Sequence, residues 1–226
     1  MARRFVDAGD VANCASLPYG PSLSLRLTGG VKRRGHPAIH AVFNAQPDEA
    51  NTKSVSVALP KGELLDNAHI GNICTKVAFA ADNCPSTSIL GQAEVTTPLL
   101  DQPLRGNAVL RSSNNALPDL VLDLRGLIDI VLVGQIDTVK GGSLRTTFHT
   151  VPDAPVSSFN LDLAGGSKGL LVNSQSLCGP AKKAAVVMTA QNNAVLETGT
   201  ALKASCGAKA RHKRHSRRHR ARKAVR

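Results

Sequence analysis

A chain of 226 residues with 42% apolar but only 3% aromatic side chains, no Trp and one Tyr, must fill its interior with Leu, Val, Ile and Ala. So few rings exclude the stacking platforms on which single-strand nucleic-acid readers and many carbohydrate modules rely. The formal charge of +12 is unevenly placed: ten of the 28 Lys and Arg lie between Lys209 and Arg226, which leaves 18 against 16 Asp and Glu, a body at +2 with a polycationic tail.

Residues 1–22 read as an N-terminal extension or a truncated preceding segment, 23–206 as one β-sandwich domain, and 207–226 as a disordered polybasic tail with too little apolar content to order itself. Leu23-Ser-Leu-Arg-Leu alternates with period two, and the Gly-rich stretch from Thr28 to Gly35 turns the chain into Ala38-Ile-His-Ala-Val-Phe, a hairpin. Strands follow at 54–59, 91–97, 107–111, 119–124, 128–136, 144–150, 159–163, 170–173, 184–190 and 194–202, with Gly, Pro, Asn or Asp in nearly every gap. Leu64, Leu65, Ala68, Ile73, Val77 and Ala80 fall near helical spacing and predict one or two short helices around 64–80. The segments 119–124 and 128–136 turn from alternation to near-continuous apolar character, as strands buried on both faces would. The expected fold is all-β, a mainly antiparallel β-sandwich or jelly-roll-like domain.

Five cysteines at 14, 74, 84, 178 and 206 contain no C-x-x-C pair and no zinc spacing. Cys74 and Cys84 close a short turn-ended segment and Cys178 and Cys206 bracket a hairpin, so two disulfides are expected with Cys14 left over, although five cysteines with one unpaired allow about fifteen arrangements. Disulfides call for an oxidising compartment. The first ten residues lack the apolar stretch of a secretory signal, so either the thiols are reduced in the cytoplasm or Met1 is not the native start. No apolar run reaches the eighteen residues of a membrane span.

Gly165-Gly-Ser-Lys-Gly matches G-x-S-x-G, but a strand rather than a helix follows and the only later histidines lie in the tail, so Ser167 reads as part of a hairpin turn. His36 and His40 stand four apart on a strand, roughly 13 Å, too far to share a metal. His69 and His149 read as isolated polar residues. Asp119, Asp123, Asp129 and Asp137 would supply an acid–base pair only if the fold gathered two of them; at turns and strand ends they read as caps. Arg105, Arg111, Arg125 and Arg145 read as charges guarding sheet edges. Neither a metal nor a cofactor is expected.

The runs Pro98-Leu-Leu-Asp-Gln-Pro-Leu-Arg-Gly-Asn, Leu117-Pro-Asp-Leu-Val-Leu-Asp-Leu-Arg-Gly, Ile128-Asp-Ile-Val-Leu-Val-Gly-Gln-Ile-Asp and Arg145-Thr-Thr-Phe-His-Thr-Val-Pro-Asp-Ala-Pro, with Ile73-Cys74, Asp82-Asn-Cys-Pro and Leu177-Cys178, resemble an uncharacterised family of exported β-rich proteins from high-GC Gram-positive bacteria. The resemblance spans about Cys14 to Cys206 and implies one exported domain; it brings no catalytic residues. The tail supplies Arg211, Lys213, Arg214, Arg217, Arg218, Arg220, Arg222 and Lys223 for a polyanion, with an anionic cell-wall polymer, nucleic acid and an acidic protein all satisfying the same electrostatics. The function expected is therefore a non-catalytic structural or interaction module, extracellular or at the cell envelope, that binds anionic polymer through its tail. The alternative is a nucleic-acid-associated protein holding phosphates without sequence preference, and a hydrolase ranks third.

Overall fold

The computed structural model describes residues 14–66, 68, 70, 73–140, 142–180 and 182–206. The expected hairpin is present as β1 (Ser22–Thr28) and β2 (Ala38–Asn44), antiparallel with Leu25 opposite Ala41 and Leu27 opposite Ile39. Alternation turns Leu25 and Leu27 inward, where both are buried, and Ser24, Arg26 and Thr28 outward. In the connecting loop Gly30 has φ +31°, and a Cβ there would strike the His36 backbone. The remaining strands are β3 (Thr52–Ala58), β4 (Glu63–Leu65), β5 (Ile89–Thr96), β6 (Leu104–Arg111), β7 (Asp119–Arg125), β8 (Ile130–Val139), β9 (Ser143–Phe148), β10 (Ser158–Leu163), β11 (Leu171–Asn173), β12 (Lys183–Ala190) and β13 (Val195–Ala204).

The fold is all-β as expected, but it is a closed barrel rather than a sandwich or jelly roll. Eleven strands run in the order β1-β13-β12-β3-β9-β8-β7-β6-β5-β10-β2 and return to β1, while β4 and β11 form a separate two-stranded ladder. The strands that a sandwich would leave as edges, β1 and β13, pair in parallel with Leu25 opposite Leu202 and Leu27 opposite Ala204. The lumen is packed with side chains. Leu25, Leu27, Ala41, Ala93, Leu104, Ala108, Leu110, Leu120, Leu122, Leu124, Ile136 and Ala184 belong to one buried cluster that draws on walls all around the ring.

Double burial holds for one of the two strands expected to show it. On β7, Val121 and Leu122 are consecutive and both fully buried, because the segment after Cys74 lies over the outer face, with Phe79 on the Arg111 guanidinium and Asp82 paired with Arg125. Cys74 itself bridges to the end of β6, its N–H donating to the Leu110 carbonyl at 2.9 Å and its carbonyl accepting from Ser112 N–H at 2.8 Å. On β8 it fails, for Val131 and Val133 sit 45% and 38% exposed on an uncovered outer wall.

The expectation of one or two short helices around 64–80 is met in part: one short helix is there, but it does not include Leu64 and Leu65. The helix in that stretch, α1 (Lys76–Ala80), is five residues long, started by Thr75, whose hydroxyl accepts from Ala78 N–H at 3.0 Å, and followed by Asp82 at φ +50°. Leu64 and Leu65 lie on β4 instead, paired with β11, where backbone ladder bonds outweigh a weak helical spacing. Among the described residues no helix is long and apolar enough to cross a membrane.

Both expected disulfides are formed, Cys74–Cys84 and Cys178–Cys206, and Cys14 is exposed and belongs to neither. The second clamps the ends of the β12–β13 hairpin. Leu122→Ala is expected to lower the free energy of unfolding in urea by about 2–5 kcal/mol, the range for a buried leucine whose cavity collapses only partly. Replacing Cys178 and Cys206 together by Ser is expected to cost about 2–4 kcal/mol in the same assay.

Candidate functional site

Strand direction sorts the connections into two sets. At one end of the barrel β1, β3, β6, β8, β10 and β13 finish and their antiparallel neighbours begin. The connections there, 29–37, 59–88, 112–118, 140–142, 164–182 and 205–206, carry Lys32, Arg33, Arg34, Lys61, Lys76, Lys140, Lys168 and Lys182, against Glu63, Asp66 and Asp82. At the other end the connections 45–51, 97–103, 126–129, 149–157 and 191–194 carry Asp48, Glu49, Asp101, Asp129 and Asp153, and no Lys or Arg. Eight cations less three anions make one pole +5 and the other −5. Cys206, tied to Cys178, lies at the basic pole, so the segment that continues to Lys209 starts there.

The basic pole is built on a clasp between the 29–37 loop and the β4–β11 ladder. Arg34 N–H donates to the Asn173 carbonyl at 2.7 Å, Asn173 N–H to the Gly35 carbonyl at 3.0 Å, and the Asn173 side-chain amide to the Gly30 and Lys32 carbonyls at 2.7 and 3.2 Å. Ser174 N–H joins the Gly62 carbonyl at 2.7 Å, and His36 Nε2 meets Asp66 Oδ2 at 2.6 Å. These contacts hold exposed Lys32, Arg33 and Arg34 against the turn that carries Lys61. Beneath them Glu63 is fully buried, neither carboxyl oxygen has a hydrogen-bond partner, and Asn173, directly opposite across the ladder, has an unmatched Oδ1. Burial pushes the Glu63 carboxyl above its ordinary range, with the positive field of Lys182 partly opposing.

On the outer wall next to this pole, Ser24, Arg26, Thr28, His40, Asp162 and Lys203 line a shallow hollow of about 570 Å³. It meets a second hollow of about 430 Å³ at Asp162, where Gln92, Asn107 and Asn160 face outward. His40 Nδ1 lies 2.5 Å from Asp162 Oδ1 and its Nε2 lies 2.9 Å from the Thr28 hydroxyl. An ionised carboxylate only accepts, so Nδ1 carries the proton and, in the neutral ring, Nε2 accepts from Thr28. That order is the beginning of general-base activation. Exposure of 38% for His40 and 64% for Asp162 leaves the chain in water, where such contacts are weak.

The other residues singled out in the sequence are dispersed. His36 and His40 turn to separate carboxylates, Asp66 and Asp162, and His149 meets Gln135 at 3.2 Å. Ser167 is exposed in a 3-10 turn, Gly166–Lys168, that leads into β11. The four aspartates and the four arginines are tied up in ion pairs, since the closed ring has no edges to guard: three of the arginines face an acid across neighbouring strands, and Arg125 collects acids from its own strand and from loops. Arg105 binds Glu94, Arg145 binds Asp137, and Arg125 gathers Asp123, Asp129 and Asp82, three carboxylates that raise its already high pKa. Arg111 pairs with Asp119 at 3.5 Å under the ring of Phe79, 5.1 Å from the guanidinium carbon. The tail residues Arg211, Lys213, Arg214, Arg217, Arg218, Arg220, Arg222 and Lys223, and His69, lie outside the described residues. The basic pole itself went unrecognised in the sequence: Lys32-Arg33-Arg34 is a visible run, but Lys61, Lys140, Lys168 and Lys182 join it only through the topology.

No protein-family model, no curated protein and no solved structure matches this chain.

Arg111→Ala would leave Asp119 buried without its cation. A loss of about 3–5 kcal/mol in unfolding free energy is expected, measured by urea denaturation, whereas Arg105→Ala at an exposed pair is expected to cost under about 1 kcal/mol.

Proposed function

We propose that the protein is an exported, non-catalytic binding module that fastens to an anionic polymer through its basic pole and the cationic segment that follows it. The observation that carries this reading is the charge polarity of the barrel. Eight exposed or half-exposed Lys and Arg in its loops, from Lys32 to Lys182, stand at the same pole as the start of a tail with ten more, while the opposite pole is acidic. A polyanion approaching such a molecule meets one attractive end and one repulsive end, so electrostatics orients the barrel as well as holding it. Release of condensed counterions from the polymer supplies the free energy, and no base or sugar recognition is needed.

Two disulfides favour an oxidising compartment and hence a polymer of the cell envelope over intracellular nucleic acid, although the phosphates of either present the same charge. His212, His215 and His219 in the tail add charge as the pH falls below about 6.5, so binding strengthens on acidification.

The test is a salt titration of binding to inorganic polyphosphate. Removal of residues 207–226 is expected to flatten the plot of log affinity against log salt by up to about seven to nine, from ten cations at roughly 0.7–0.9 each. Reversal of Lys32, Arg33 and Arg34 to Glu is expected to weaken the remaining binding at least tenfold at low salt, while Asp48→Ala and Asp101→Ala leave it unchanged. Affinity indifferent to both the deletion and the reversal would overturn the reading.

A further inference from the structure

The buried carboxyl at the basic pole has a consequence for how that pole works. Glu63 Oε1 and Oε2 and Asn173 Oδ1 are three acceptor oxygens, all fully enclosed, without a donor among them. Flipping the Asn173 amide does not help, since its nitrogen is already committed to the Gly30 and Lys32 carbonyls. Opposite positions in an antiparallel ladder bring the two side chains to one face, with Cβ atoms about 4.5–5.5 Å apart. One proton on Glu63 resolves the conflict: the carboxyl becomes an O–H donor and Asn173 Oδ1 its acceptor. An ionised carboxylate in the same enclosure would face an amide oxygen, favoured only by the field of Lys182 and by its own backbone N–H, and burial outweighs both.

The charged groups around it do not supply another solution. Lys182, on the approach to β12, is the cation whose field reaches Glu63, but its Nζ is directed to the Lys61 carbonyl at 3.4 Å. Lys61, Lys32, Arg33 and Arg34 are exposed, and Asp66 is engaged by His36. From β9, which packs on β4, come uncharged Ser143 and Leu144, and Arg145 of that strand is taken by Asp137.

We propose that Glu63 and Asn173 form a proton-controlled clasp: with Glu63 neutral the β4–β11 ladder grips the 29–37 loop and presents Lys32, Arg33 and Arg34 as one surface with Lys61, and with Glu63 ionised the ladder opens and the surface comes apart. The link to ligand binding rests on the polyanion reading above; the clasp itself does not. The sign follows from linkage. A carboxyl held above its unfolded pKa binds more protons in the closed form, so its contribution to the closed state is complete below the unfolded pKa and is lost as pH rises through the higher folded value. The clasp is tight in acid and loosens toward alkaline pH, the direction in which the tail histidines also lose charge.

The experiment compares the full chain with Glu63→Gln, whose amide donates to Asn173 at any pH. Amide hydrogen exchange at Arg34, Asn173 and Ser174, corrected for intrinsic base catalysis, is expected to lose protection in the wild type by up to about tenfold per pH unit above the folded pKa, and to stay level in the variant. The ¹³C resonance of the wild-type Glu63 carboxyl, followed over the same range, needs no variant and is expected to titrate together with the protection. A Glu63 carboxyl already ionised in mild acid, or exchange that depends on pH equally in both proteins, overturns the clasp. Polyphosphate affinity is read in parallel, where the histidines cancel in the comparison: a steeper alkaline loss in the wild type than in E63Q supports the link to binding, and equal slopes with the exchange difference retained overturn that link. No polyphosphate binding at any pH overturns the polyanion reading, and the exchange data still decide the clasp.

Discussion

Eleven is an odd number, and a ring of strands that alternates up and down cannot close without one parallel pair. In this barrel that pair is the first strand and the last, β1 beside β13. The rest of the architecture depends on it. Parallel closure makes both strands finish at the same pole, so the chain leaves the barrel beside the 29–37 loop and not beside the acidic connections at the far end. It also sets Arg26 opposite Lys203, two cations in register, an arrangement tolerable because the outer wall is solvated and Arg26 Nε donates to the Ser205 hydroxyl at 3.3 Å. Inside, the same register brings Leu25 and Leu202 into the shared core, so closure removes two exposed edges and buries apolar surface in one step.

A ring this wide would enclose a lumen unless its walls came together. Alanines at 41, 93, 108 and 184 stand among the inward-facing leucines, small enough to let facing walls approach and the leucines interdigitate. That is how a chain poor in rings fills a large barrel. Over β6 and β7 the outer wall is covered by α1 and the residues after it, tied down by the Cys74–Cys84 disulfide. Only under such a cover can a pair like Arg111–Asp119 become buried, and Phe79 from α1 closes over its guanidinium.

Much of this was legible in the sequence because it is local. Period-two alternation and Gly, Pro, Asn and Asp in the gaps located twelve of the strands to within a few residues, and the β12–β13 hairpin brought Cys178 within reach of Cys206 as its spacing suggested. Closure was not legible, since no local pattern says that Leu25 and Leu202, the two ends of the sheet, will meet. Strand β4 was hidden for a different reason: Leu64 and Leu65 sit at spacings a helix would accept, and only the partner strand 106 or more residues later decides between ladder and helix. Charge polarity needs the topology as well, because Lys61, Lys140 and Lys168 are far apart in the chain and become neighbours only when alternate connections are assigned to one pole. Glu63 gave no signal at all, being one acid in a segment of mixed character.

Two acids are buried among the described residues and they are handled in opposite ways. Asp119 is given a permanent cation, Arg111, directly across the ladder. Glu63 is enclosed without one, at the pole where the surrounding potential is most positive and therefore most inclined to draw its proton away. On the proposed reading, a polyanion settled on that pole would reverse the field. It would lower the local potential, raise the proton affinity of Glu63 and so favour the closed clasp, and by the reciprocity of linked equilibria a closed clasp must favour the polyanion by the same factor. Burying an unpaired acid beneath a cationic surface is costly as a way of making a stable barrel; as a way of coupling proton uptake to anion binding it needs no further part.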